Sequence, residues 1–205
     1  MQKLMMFAAI GLVVYFLFFS AGEVEYEAGV LVKTAPVQED SSSVPEFKMN
    51  GYDITPLKTF QIKARVLGRE NYSSGRESDL SPVDLALGWG RMSDESVVSK
   101  ISISQSGRFY RWHVDEFPIP RREIETHSAN MHLIPRDEAV RDSIEQIKTG
   151  DVIELSGYLV NVKADDGWQW NSSLTRNDTG DGACELIWVT GFKIVTAGYI
   201  HQIKS

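Results

Sequence analysis

One cysteine in 205 residues is the chain's scarcest reactive group. A single thiol cannot staple its own chain, so no intramolecular disulfide framework holds this fold. Cationic charge is also short, with 21 Lys and Arg against 28 Asp and Glu for a formal net charge of −7. That balance works against a sequence-independent grip on phosphate backbones and excludes nucleic acid as an expected partner. Internal repeats are missing. So are a Gly-x-Ser-x-Gly elbow, a phosphate-binding loop and a dinucleotide fingerprint, which removes the reaction classes those motifs serve. No cofactor is expected.

What the chain does have, first, is a long apolar run. After Lys3 no charge occurs before Glu23, and Leu4 to Phe19 is almost wholly apolar. A segment of that kind enters a membrane. Lys3 before it and Glu23, Glu25 and Glu27 after it agree with a cytoplasmic N-terminus and an exported remainder. Ser20 and Gly22 offer the small residues of a signal-peptide cleavage site, but the run is longer than the usual hydrophobic region and no polar spacer follows it. Residues 1–22 are therefore read as an N-terminal transmembrane helix, with a cleaved signal as the alternative. The expected location is single-pass and membrane-anchored, with the C-terminal domain extracytoplasmic.

The remainder divides into a juxtamembrane strand and linker (23–56) and an exported β-rich domain (57–205). Val24 to Lys33 has strand composition, while Thr34 to Pro56 is rich in Ser, Pro and acidic residues, has no period and reads as linker. Beyond it, Phe60, Ile62, Ala64 and Val66 alternate with Gln61, Lys63 and Arg65, a period of two that marks a strand. Gly68 to Leu80 reads as a polar loop. Ser81-Pro82-Val83-Asp84 has the form of a helix start, with a capping hydroxyl, a proline for the first turn and an acid beside the free amides. A second short helix starts at Ser93-Asp94-Glu95. Strand spacing returns at Ile101 and Ile103, turns at Ser106-Gly107 and continues from Phe109 to Val114.

Arg136 to Lys148 predicts a helix, because Val140, Ile144 and Ile147 are spaced by four and three and acids sit at its start. Asp151 to Lys163 and Cys184 to Val195 are dense in β-branched and aromatic residues. A Gly-Asp turn, a strand carrying a central Gly157 and further strands over residues 149–195 resemble the opening of small closed barrels such as the OB-fold. The expected class is mainly β (α+β), a small OB-like β-barrel or sheet with one packed amphipathic helix.

Candidate chemistry concentrates near the same region. Cys184 with His127 or His132 has the residue types of a thiol nucleophile and its base, the basis of a hydrolase or transferase reading. The commoner behaviour of such residues is structural: a small buried hydrophobe for Cys184, and loop hydrogen bonds for two histidines whose spacing of five puts them on opposite faces of a strand. Asp165, Asp166, Asp178, Asp181 and Glu185 match no calcium loop, and no metal is expected. Trp168 and Trp170 share one strand face beside a polar loop, and with Arg176, Asn177, Asp178 and Asp181 they form the expected binding surface.

The stretches Arg176 to Glu185, Asp79 to Gly90 and His127 to His132 resemble a family of bacterial membrane-anchored or secreted proteins that carries no assigned activity. The resemblance implies a bacterial source and no catalytic roles. The functional expectation is a membrane-anchored extracytoplasmic binding or interaction module of the bacterial envelope. Its expected partners are the membrane, through the N-terminal helix, and an envelope protein or glycan.

Overall fold

The computed structural model describes residues 23–41, 44–175 and 184–202. Strand predominates. The strands are β1 (Val37–Asp40), β2 (Phe47–Met49), β3 (Tyr52–Asn71), β4 (Val83–Gly88), β5 (Ser102–Ser106), β6 (Phe109–His113), β7 (Ser128–Pro135), β8 (Val152–Lys163), β9 (Gln169–Asn171) and β10 (Glu185–Ile194). Among the described residues three α-helices accompany them: α1 (Glu95–Val98), α2 (Arg121–Thr126) and α3 (Glu138–Glu145).

One large sheet runs in the order β1-β3-β4-β7-β10-β8-β9, with β2 also paired to β3. β8 pairs with β3 as well, so the path β3-β4-β7-β10-β8 returns to its starting strand. All these pairings are antiparallel except β7 with β10, which is parallel. β5 and β6 form a separate hairpin.

The alternation seen in sequence decides which face each strand buries. Phe60, Ile62, Ala64 and Val66 all enter one core with Leu85, Leu133, Leu159 and Ile187. Upstream, Ile54 points to the opposite face, into a second core with Val160, Val162 and Leu186. The switch has a local cause. Pro56 pairs with Val160 and Lys58 with Leu159, so Leu57 is an extra residue, a bulge that reverses inside and outside along β3. A third core, with Leu67, Ala86, Met92 and Ile124, lies under the β5–β6 hairpin.

α3 forms where the periodicity predicts it. Asp137 caps it, its Oδ1 accepting from Val140 N at 3.0 Å, and Val140 and Ile144 are buried against the first core. Gly150 follows with φ of 92°, and a Cβ there would meet Val24 O at 2.1 Å. Only glycine admits so close a strand of backbone.

Four local expectations are corrected. Ser81-Pro82-Val83-Asp84 does not start a helix; all six residues of β4 are buried between β3 and β7, and two-sided pairing outweighs the capping pattern. Gly68 to Leu80 is not all loop, for β3 extends to Asn71. Thr34 to Pro56 contains the short edge strands β1 and β2, whose largely polar and exposed residues give no apolar period, and the start of β3, where Tyr52 and Ile54 are buried. Val24 to Lys33 makes one isolated bridge at Tyr26 instead of a strand, yet Tyr26, Leu31 and Val32 are buried in the first core. Among the described residues no helix is long and apolar enough to cross a membrane; the expected span, residues 1–22, lies outside them.

Candidate active site

β4, β7 and β10 lie side by side, and their register aligns polar residues on one face. Asp84 pairs with His132, and Ala86 with Asn130. His132 pairs in turn with Leu186, two residues after Cys184. Period two then places Asp84, Asn130, His132 and Cys184 on the same side, the side of the second and third cores.

Burial raises the stakes for each of them. Asp84 is wholly buried, and His132 and Asn130 are 4% and 3% exposed. A buried carboxylate is tolerable only with charged or hydrogen-bonding partners on it. Asp84 has three. Its Oδ1 accepts from Arg108 Nη1 at 2.7 Å. Its Oδ2 accepts from Asn130 Nδ2 at 3.4 Å and stands 2.9 Å from His132 Nδ1, an ion-pair contact off the line of the ring N–H.

Arg108 reaches the site from the tip of the β5–β6 hairpin. Gly107 and Arg108 have φ of 57° and 70°, the left-handed pair of a two-residue hairpin turn. The strained residue is held on every side. Nη2 donates to Ser81 O at 2.8 Å, the guanidinium lies 3.8 Å from the centre of the Tyr72 ring, and the backbone N–H donates to Tyr72 Oη at 3.0 Å.

His132 joins this charge pair to the cysteine. Burial alone would push the imidazole down. The Asp84 carboxylate 2.9 Å away and, after it, the Cys184 sulfur outweigh it and raise the ring from 6.5 to about 9. The ring therefore holds its proton at neutral pH. Cys184 is partly exposed, with Sγ 4.0 Å from both Asn130 Nδ2 and Arg108 O. It opens onto a cavity of about 660 Å³ between β6, α2 and β7.

No family model matches this chain. No curated protein and no solved structure matches it either.

Of the residues singled out in sequence, the structure brings Cys184 and His132 together and leaves His127 apart. His127 ends α2, its Nδ1 3.2 Å from Glu123 O and its ring 6.3 Å from that of Trp89. Cys184 lines a cavity instead of filling a core. Trp170 lies beside the site, its ring centre 4.9 Å from that of His132 and 5.5 Å from the Arg108 guanidinium. Trp168 is one step away, edge-on to Tyr52 at 5.7 Å and under Arg76 at 4.9 Å. Arg176, Asn177, Asp178 and Asp181 lie outside the described residues. Asp166 is occupied by Arg76 at 2.7 Å, and among the described residues no three potential ligands are placed to hold a metal ion.

Asp84 and Asn130 were missed by sequence reasoning. One signal was available for the first. An acid inside Val-Asp-Leu-Ala-Leu is affordable on a two-sided buried strand only when a cation or donor meets it.

Proposed function

We propose that the chain is a thiol-dependent hydrolase or acyl transferase in which Cys184 is the nucleophile, His132 the proton carrier and Asp84 the group that orients it. The observation that carries this reading is the unbroken row Arg108–Asp84–His132–Cys184 ending at a cavity. Nucleophile, base and orienting carboxylate in sequence are the arrangement that activates a weak nucleophile.

The step balances on these groups. The Cys184 sulfur, as thiolate, attacks a carbonyl carbon; the S–C bond forms and the carbonyl electrons move to oxygen. As they return, the bond to the leaving amine or alkoxide breaks, and His132 gives its proton to that leaving group. Water or a second acceptor then attacks the thioester, passes a proton to His132 and releases the thiolate. Asn130 Nδ2, 4.0 Å from Sγ, is a side-chain donor for the carbonyl oxygen. Arg108 and Asp84 are positioning residues.

The scaffold in this proposal is an OB-like closed barrel. The ring order β3-β4-β7-β10-β8, the parallel β7–β10 pair and a helix between β7 and β8 support it. The run at 4–19 supports an anchor that holds the domain at the outer face of a bacterial membrane.

A second reading, a binding module for an envelope protein or glycan, is favoured by one observation: Trp168 and Trp170 stand 6.3 Å apart with Arg76 and Arg108 against them, an aromatic platform beside the same site. Iodoacetamide labelling followed by intact mass separates the two. The catalytic reading expects fast alkylation of folded Cys184 at neutral pH, and slowing by His132→Gln. Alkylation that is slower than in the denatured chain and indifferent to His132→Gln overturns it and leaves the binding module.

A further inference from the structure

The cavity in front of Cys184 has an unusual wall. All of Phe109 to Val114 lines it, although alternate side chains of a strand point to opposite sides. A continuous stretch lines a cavity only when the strand's edge, its backbone, faces in.

The hairpin turn fixes which backbone groups those are. With two turn residues of positive φ, the closing pair Ser106 and Phe109 exchanges hydrogen bonds, and pairing then alternates. Ser104 with Arg111 and Ser102 with His113 are bonded pairs, while Tyr110 and Trp112 direct their N–H and C=O away from β5. The hairpin is a two-stranded sheet, so among the described residues no strand takes up that edge. Asn130 and Cys184 line the same cavity. Phe117, 52% exposed, packs edge-on to Trp112 at 6.1 Å and supplies an apolar wall at the far end.

We infer that the site takes an extended polypeptide segment, which pairs as an added strand with Tyr110 and Trp112 of β6, seats an apolar side chain against Trp112 and Phe117, and presents a backbone carbonyl to Cys184. Added-strand recognition needs an edge whose donors and acceptors at every second residue no other strand has taken, with room beside it, and among the described residues both conditions hold. The cavity volume of about 660 Å³ is that of a ligand site and not of a packing defect. The inference deepens the proposed function and rests on it for the role of Cys184.

The test uses an N-acetylated tripeptide chloromethyl ketone of alanine and phenylalanine, whose alkylation of a thiolate forms an S–C bond and expels chloride. Chloroacetone serves as the same warhead without a peptide. Two backbone hydrogen bonds predict Cys184 labelling about tenfold faster than by chloroacetone after correction for intrinsic reactivity. Two further tripeptides carry N-methyl groups on alternate amides, one in each phase. Methylation in the phase that faces β6 should abolish the gain, and methylation in the other should preserve it. Equal loss in both phases, or no loss in either, overturns the inference. Cys184 that reacts with iodoacetamide and chloroacetone but gains nothing from the peptide overturns it alone. Cys184 inert to every reagent overturns the proposed function with it.

Discussion

Raising the pH should strip stability from this protein through one residue. His132 has its proton affinity raised from 6.5 in an exposed chain to about 9 in the fold. Each tenfold in proton affinity is worth about 1.4 kcal/mol, so folding and proton binding at this ring reinforce one another by about 3 kcal/mol. A raised folded value means the contribution is complete below pH 6.5 and lost as pH rises through about 9. Tyr110, pushed up to about 12 by burial, titrates beyond that window. Urea unfolding followed by tryptophan fluorescence, run from about pH 6 to about pH 10 on the wild type and on His132→Gln, isolates the effect from background shared by both proteins. The stability gap between them should shrink by about 3 kcal/mol across the range. A gap that does not change with pH would refute the reasoning, because His132 would then not be an imidazolium held between Asp84 and Cys184.

Asp84→Asn leaves Arg108 and His132 facing a neutral amide in a buried setting, and should cost about 3–5 kcal/mol in urea unfolding. Gly157→Ala puts a Cβ 2.1 Å from Trp188 O, a backbone atom that cannot swing aside, and should lower stability by about 1–3 kcal/mol in a thermal melt. A reporter fused to the C-terminus should be active only outside the cytoplasm, and the protein should stay with membranes after a high-salt wash; a soluble, shortened chain would mean that residues 1–22 are a cleaved signal.

The elements that could be read in sequence are those whose own neighbours set their state. Phe60 to Val66 alternates cleanly because each side chain keeps one face along the first core, and α3 carries both its period and its cap within a dozen residues. β4 could not be read that way, since its burial on both faces comes from β3 and β7, distant in sequence. The site suffered the same fate. Cys184 and His132 were visible as residue types, but Asp84 was hidden in a segment read as helix, and Arg108 enters only because a hairpin tip folds over the sheet. Proximity of that sort is created by register and has no local signature.

Leu57 carries a last consequence, for how this protein can vary. Because one uncounted residue hands β3 from one core to the other, the segment from Tyr52 to Val66 is constrained in number more tightly than in kind. Exposed positions such as Gln61 can change identity at small cost, whereas deleting a single residue between Ile54 and Phe60 would turn Tyr52 and Ile54 into the wrong interior. Across variants of this chain, gaps should be found on either side of that stretch and not within it.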